Sequence, residues 1–175
     1  MRWRPVLLFG TVLAAGGFLL AVLTDAKPAR AAMADIEVTS VRVEKAARTL
    51  TLLDREGNAV RRYSGIQLGD EPVGPKHYEG DERTPEGRYV IDYGNENSSY
   101  FLSLHISYPA PADSAFAARA GRSPGGLIFV HGQPNWLPEG RIPGDWTDGC
   151  IALSNDEMED LWSLVPDGTP VEIVP

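Results

Sequence analysis

A lone cysteine and a nearby histidine are the residues of this chain best suited to covalent chemistry. Cys150 is the single cysteine of the 175 residues, so it cannot form an intramolecular disulfide. It follows Gly149, and His131 closes a short apolar run upstream. A thiolate is a strong nucleophile for acyl transfer, and an imidazole can take the thiol proton and later return it to a leaving amine. The pair therefore predicts a cysteine acyl-transfer site.

Apolar and alternating runs predict the strands that would position these two side chains. The apolar run 127–130 is typical of a buried strand, and it would deliver His131 at its end. Other strands are predicted over 35–43, 49–53, 59–63, 88–91, 100–106 and 171–174, with 66–68 as an extension of the sheet. The sequence therefore predicts a mostly β domain.

Two further segments have the composition of short helices. Residues 113–120 are predicted as a helix with Asp113 or Ser114 as its N-cap. Ser154 and Glu157 fit the capping-box pattern of a second helix, whose apolar face would comprise Met158, Leu161, Trp162 and Val165. The segments 69–87 and 132–144 are rich in Gly and Pro, and loops of this length are typically functional or mobile.

The first 34 residues have the pattern of an export signal. Arg2 and Arg4 precede an uninterrupted apolar stretch over 6–23, and small-residue cleavage sites follow it. The stretch is also close to the length that spans a bilayer, so cleavage and retention as an inner-membrane anchor are both open, and we favour cleavage. Either outcome places a single domain over 35–175 outside the cytoplasm, because the positive residues stay inside.

The charge balance excludes several classes of partner. The formal net charge of the chain is −8, and without the basic leader it falls to near −11. Nucleic-acid and anionic-lipid binding depend on basic patches, so neither is expected, and contact with the inner membrane would come only through an uncleaved leader. The scattered histidines and acids have no metal-ligand spacing, and we predict no metal and no cofactor.

The segment from His131 to Leu153 resembles the catalytic motif of the L,D-transpeptidases. In that family a histidine is followed, after about fifteen residues, by Ser/Thr-x-Gly-Cys and an apolar residue. Here residues 132–146 separate His131 from Thr147, and Asp148, Gly149, Cys150 and Ile151 follow. Residues 84–91 also resemble the family's Thr-Pro-x-Gly-x-Phe/Tyr-x-Ile segment. The resemblance covers roughly residues 36–175, and segments 74–76 and 103–109 look like the periplasmic branch that handles the lipoprotein–peptidoglycan link.

This resemblance implies a fold, a reaction and a set of site residues. The fold would be an L,D-transpeptidase-like β-sandwich or barrel with one or two short helices. Cys150 would be the nucleophile that forms a thioester with peptidoglycan stem tetrapeptides, and His131 the general base and acid. The Gly132 carbonyl would orient the histidine, and the N–H groups of Gly149 and Cys150 would face the oxyanion. We expect substrate contacts from Thr147, Asp148, Lys76, His105 and Trp146.

Two positions depart from the common family pattern and leave the final acceptor open. Many members have His where this chain has Asp148, and Arg or Asn where it has Ala152. The thioester could pass to an amine, which includes attachment of a wall-linked lipoprotein, or to water, which gives hydrolysis. The rival hypotheses are a wall-binding module without catalysis and a metallohydrolase that uses His105 and His131.

Overall fold

One curved sheet carries the fold of residues 37–175, the part of the chain that the computed structural model describes. Its strands are β1 Ser40–Glu44, β2 Thr49–Leu53, β3 Ala59–Ser64, β4 Gly87–Asn95, β5 Ser103–Ile106, β6 Ile128–His131, β7 Ile151–Ala152 and β8 Thr169–Val174. Two helices, α1 Pro111–Arg119 and α2 Asn155–Leu164, complete this part of the chain. The predicted leader over 1–34, with Asp35 and Ile36 of the first predicted strand, lies outside these residues.

The C-terminal strand joins the two halves of the sheet. The strand order is β3-β2-β1-β8-β4-β5-β6-β7, so β8 lies between the N-terminal strands and the half that carries the cysteine and the histidine. Val171 of β8 pairs with Val41 in parallel on one side and with Tyr89 in antiparallel on the other. The other parallel pair is β6 with β7 at the far edge of the sheet.

The apolar core lies between the sheet and α2. Met158, Leu161 and Trp162 of the helix are buried in one cluster with Leu104 of β5 and Val130 of β6. These are the helix positions that the sequence periodicity predicts, and the apolar face is confirmed. Because β5 and β6 support the site, burial of α2 against them stabilises the strands that carry it.

Most predicted elements are present, and several differ in detail. The first strand begins at Ser40 and not within the earlier part of the predicted range 35–43, β4 extends to Asn95, and β7 was not predicted. The first helix begins earlier than predicted, since Ala110 is its N-cap and Pro111 occupies the first turn. Asp113 is not the cap; its carboxylate instead accepts a hydrogen bond from the Ala110 N–H at 2.9 Å. Residues 100–102 form a turn before β5, and Gln67 makes only an isolated bridge to Ala152. Within residues 37–175, no helix has the length and apolarity needed to cross a membrane.

The capping box of α2 forms as predicted, and it generates a stability prediction. The Ser154 hydroxyl accepts from the Glu157 N–H at 3.4 Å, and the Glu157 carboxylate accepts from the Ser154 N–H at 3.1 Å. We expect Ser154→Ala to lower the free energy of unfolding by about 1 kcal/mol, because the Glu157 N–H loses its acceptor.

Urea denaturation measures this difference. Ser163→Ala is the matched control, since the Ser163 hydroxyl lies at the other end of the helix and donates to the Asp160 carbonyl. An equal loss in both variants would show that the cap has no special role.

Candidate active site

A cavity of about 540 Å³ contains both predicted catalytic side chains. One wall is formed by β6 and the residues before it, and the other by the β4–β5 connection and the segment around the cysteine. Its lining comprises Asn95, Asn97, Ser98, Ser99, Tyr100, Ser103, Gly126, Leu127, Ile128, Phe129, His131, Trp146, Thr147, Asp148 and Cys150. The structure thus brings the lone thiol and the imidazole to one concave site.

The pairing of β6 with β7 places the cysteine. Ile151 pairs with Val130 in parallel, so Cys150, one residue earlier, lies beside Phe129. The Phe129 N–H donates to the thiol sulfur at 3.4 Å, and the thiol lies 3.7 Å from the Leu127 carbonyl oxygen, to which it donates. In this resting arrangement the thiol therefore contacts the backbone of the segment that leads to His131.

His131 has a defined tautomer and orientation. Its side chain is buried, and Nδ1 lies 2.7 Å from the Gly132 carbonyl oxygen. A carbonyl only accepts hydrogen bonds, so Nδ1 carries the proton and Nε2 is left as the basic nitrogen. The rings of Tyr100 and Trp146 flank the imidazole, with centroids 4.7 and 5.7 Å away. The acceptor expected from Gly132 is in place.

Glycine is required at position 132 because the backbone lies too close to its neighbours for a side chain. A Cβ at this position would lie 2.6 Å from Asn155 Oδ1 and 2.9 Å from the Cβ of Phe101. The Gly132 N–H is shared between the carbonyls of Tyr100 and Leu102, each at 3.1 Å. These contacts fix the peptide whose carbonyl holds the histidine.

The peptide before Cys150 differs from the expectation for an oxyanion site. The Gly149 N–H donates to Thr147 Oγ1 at 3.2 Å, so this N–H already has an acceptor inside the protein. The Thr147 hydroxyl in turn donates to the Cys150 carbonyl at 2.8 Å. Thr147 lines the cavity, but its hydroxyl bonds to the backbone on both sides of the Gly149–Cys150 peptide.

A buried threonine that was not predicted as a site residue contacts the same Cys150 carbonyl. Thr84 Oγ1 accepts from the Gly69 N–H at 3.1 Å, and it lies 3.5 Å from the Cys150 carbonyl oxygen. A Cβ on Gly149, whose φ is 124°, would lie 2.5 Å from the Arg83 carbonyl oxygen. The Thr-Pro segment at 84–85 was the sequence feature that could have indicated this residue. Its contact with the Cys150 carbonyl could not be predicted from the sequence.

Burial keeps both reactive groups neutral at rest. Desolvation raises the pKa of Cys150 to about 11, and the Asp148 carboxylate adds to this effect, while the Phe129 N–H and Lys76 oppose it. Desolvation also lowers the pKa of His131 to about 4, against a smaller opposing effect of its bond to Gly132. Near neutral pH the resting pair is therefore a thiol and a neutral imidazole.

Three of the predicted substrate-contact residues, Asp148, Lys76 and Trp146, differ in burial and in the cavity that they line. Asp148 is exposed and lines both the main cavity and a second one of about 520 Å³, which Lys76 also lines. The Lys76 ammonium is buried and paired with Asp81 at 2.9 Å. Trp146 lines the main cavity, and its buried Nε1 has no hydrogen-bond partner among residues 37–175.

His105 is not among the residues that line either cavity. Its Nδ1 lies 2.6 Å from Asp92 Oδ1, and its ring stacks on Tyr93 with centroids 4.6 Å apart. In the described part of the chain, no group of three or more His, Cys, Asp or Glu side chains is arranged to hold a metal ion.

Comparison with known proteins agrees with the fold. The family model of the YkuD L,D-transpeptidase catalytic domain matches residues 39–173. A β-rich domain with cysteine and histidine in one cavity is the arrangement that the motif resemblance implied. The chain belongs to the YkuD family of L,D-transpeptidase catalytic domains.

Individual relatives extend this comparison. The chain is 23% identical to the Putative L,D-transpeptidase YafK of Escherichia coli (strain K12), over 71% of this chain and 46% of that protein. It is 29% identical to the helical cell shape determining protein Pgp2 from Campylobacter jejuni, with a TM-score of 0.64 over 79% of this chain and 48% of that one. Bd1075 from Bdellovibrio bacteriovorus has 23% identity and a TM-score of 0.55, over 79% and 48%. The chain thus spans about half the length of these relatives.

The pKa values of the neutral pair generate a prediction for thiol reactivity. Only the thiolate is alkylated, so the rate of iodoacetamide alkylation at Cys150 should rise about tenfold per pH unit between about pH 6 and 9. The rise continues because burial favours the protonated thiol, and it levels off only near the pKa of about 11.

Mass spectrometry of the intact chain follows this reaction, because the chain has one thiol. Glutathione is the reference, and its rate should level off about two pH units lower, near the pKa of an ordinary thiol. A rate at Cys150 that is already constant from about pH 5 would instead indicate a resting thiolate–imidazolium pair.

Proposed function

We propose that this protein is an exported cysteine acyltransferase that acts on peptidoglycan stem tetrapeptides and passes the acyl group to an amine acceptor. The observation that carries the proposal is the presence of Cys150 and His131 in one cavity, with Nε2 of the imidazole as the unprotonated nitrogen. Membership of the L,D-transpeptidase family supports the substrate class, because that family acts on peptidoglycan peptides. The leader pattern over 1–34 supports a periplasmic location.

The first half of the reaction forms a thioester. His131 Nε2 takes the thiol proton as Cys150 Sγ attacks the carbonyl carbon between the third-position diamino acid and the following D-alanine. The Gly132 carbonyl stabilises the resulting imidazolium through Nδ1–H. The C–N bond then breaks, and His131 returns the proton to the D-alanine amine.

Because both groups are neutral at rest, proton transfer is expected to accompany the attack. A thiol with a raised pKa beside an imidazole with a lowered pKa does not ionise in advance. The Cys150 N–H is a candidate oxyanion donor. The Gly149 N–H would need to leave Thr147 Oγ1 to join it.

The second half of the reaction resolves the thioester. An amine acceptor attacks the thioester carbonyl and the C–S bond breaks. His131 accepts the amine proton and passes it to the departing Cys150 sulfur, which restores the thiol and the neutral imidazole. Asp148 is the charged side chain nearest the cysteine in the sequence and lines both cavities, so it is suited to contact an ammonium group of the incoming amine. Trp146 lines the main cavity and Lys76 the second, so we propose both as residues that shape the binding site for the peptide and the acceptor.

The relatives also suggest the biological consequence of this activity. Pgp2 is a cell shape determining protein, and it shares 29% identity and the fold of this chain. We propose that this protein likewise modifies the cell wall in a way that affects cell shape. The acceptor determines the product. A wall-linked lipoprotein that supplies the amine would become attached to peptidoglycan, whereas water would give hydrolysis.

Mass spectrometry of the protein after incubation with peptidoglycan tetrapeptides tests the proposal. We expect an acyl adduct on Cys150 together with released D-alanine, and neither product with Cys150→Ala. Binding without an adduct or product would instead support a non-catalytic wall-binding module. When an amine acceptor is added, a transferase forms the amide product at the expense of the hydrolysed peptide.

The role of His131 generates a separate prediction. His131→Gln removes the basic Nε2, and we expect the rate of adduct formation to fall by about 100-fold or more, because general base catalysis is lost. His77→Gln is the matched control, since His77 stacks on Phe116, and neither side chain lines the cavity. A His131→Gln variant that keeps the full rate would refute the assigned base.

A further inference from the structure

The side-chain amide of a buried glutamine, Gln133, forms hydrogen bonds with three segments that surround the site. Gln133 is completely buried. Its Nε2 donates to the Leu153 carbonyl at 2.7 Å and to Gln67 Oε1 at 3.0 Å, and its Oε1 accepts from the Ile142 N–H at 3.0 Å. An amide has two side-chain donors and one acceptor oxygen, so this side chain is fully paired.

A second glutamine extends this network to the segment before the cysteine. Gln67 Nε2 donates to the carbonyls of Ile142 and Gly144. The Gln67 backbone also pairs with Ala152, through hydrogen bonds of 2.9 and 2.8 Å. The two side chains therefore hold the middle of the segment between His131 and Cys150 against the strand that follows the cysteine.

The backbone of Gln133 is fixed from the opposite direction. Its N–H donates to Asn155 Oδ1 at 2.8 Å, and this N–H belongs to the same peptide group as the Gly132 carbonyl. That carbonyl is the acceptor of His131 Nδ1–H. The Leu153 N–H donates to the His131 carbonyl at 2.9 Å, while its own carbonyl accepts from Gln133. The orientation of the imidazole therefore depends on a peptide group whose position Gln133 and Asn155 determine.

We propose that Gln133 is a positioning residue for the reaction: its buried amide fixes the Gly132–Gln133 peptide and thereby aims the basic Nε2 of His131 at the thiol. Gln133 itself does not line the cavity, so it acts through His131 and not on the substrate. The consequence for turnover rests on the proposed function. The consequence for the histidine geometry does not.

Gln133→Met tests this role, because methionine has a similar length but cannot form these hydrogen bonds. We expect kcat for D-alanine release to fall on the order of 10- to 100-fold, with KM within about twofold, since misaimed catalytic groups slow the reaction more than they weaken binding. In the proton NMR spectrum, the Nδ1–H resonance of His131 should shift or broaden. It is assigned by its loss in His131→Gln. The rate of Cys150 alkylation should stay within about twofold, since the thiol contacts β6 and not this network.

Tyr63→Phe is the matched control, because it removes a buried hydrogen bond of 2.9 Å to Asp160 away from the site. It should leave kcat and the His131 resonance unchanged. If Gln133→Met does not fold, Asn155→Ala replaces it. This variant removes the acceptor of the Gln133 N–H, and the same resonance should move.

The outcomes separate this inference from the proposed function. An unchanged His131 resonance and unchanged kcat in the folded variant would overturn the positioning role. Equal effects in Tyr63→Phe would also overturn it, since the loss would then reflect stability alone. If the wild-type chain releases no D-alanine, the proposed function fails, and the His131 resonance still decides the role of Gln133.

Discussion

The site depends on a two-residue strand at the edge of the sheet. Residues 151–152 pair in parallel with the end of β6, and this register places Cys150 beside Phe129 and Ala152 beside His131. A strand of two residues forms few backbone hydrogen bonds with its neighbour, so its pairing alone stabilises it little. Its position is instead secured by contacts on both sides: Gln67 pairs with Ala152, and the Leu153 N–H binds the His131 carbonyl. Cys150 is therefore held by its neighbours in space more than by its own strand.

Close backbone packing around the nucleophile explains why particular residue types surround it. The Gly149 and Gly132 positions have no room for a Cβ, because Arg83 and Asn155 atoms occupy that space. Thr147 then bonds the N–H and the carbonyl on either side of the Gly149–Cys150 peptide. Desolvation of the partly buried thiol within this packing raises its pKa to about 11. The packing that fixes Cys150 thus also disfavours its ionisation, so the proposed reaction depends on a well-oriented base.

Local patterns in the sequence predicted most of the elements, although not the two-residue strand β7. The apolar run before His131 predicted β6, and Ser154 with Glu157 predicted the start of α2, because these signals depend on residues close in the chain. Asp113 failed as a predicted cap because Pro111, two residues earlier, already suits the first turn. Thr84 and Gln133 were not assigned to the site because their partners lie far away in sequence: 66 residues separate Thr84 from Cys150, and 66 separate Gln133 from Gln67. Local patterns of residue types do not predict contacts between residues so far apart in the sequence.

The segment between His131 and Cys150 takes part in this long-range network. Acyl transfer requires only that the two side chains meet, so it does not itself dictate the length of the segment between them. In this fold the segment must leave β6 past Gly132, reach Gln67 with the carbonyls of Ile142 and Gly144, and return. The Asp145 carboxylate then accepts from the Leu68 N–H at 2.8 Å and pairs with Arg48, which anchors the return path. The segment between His131 and Cys150, the two proposed catalytic residues, is therefore anchored at several points by hydrogen bonds to the residues around Gln67 and Arg48.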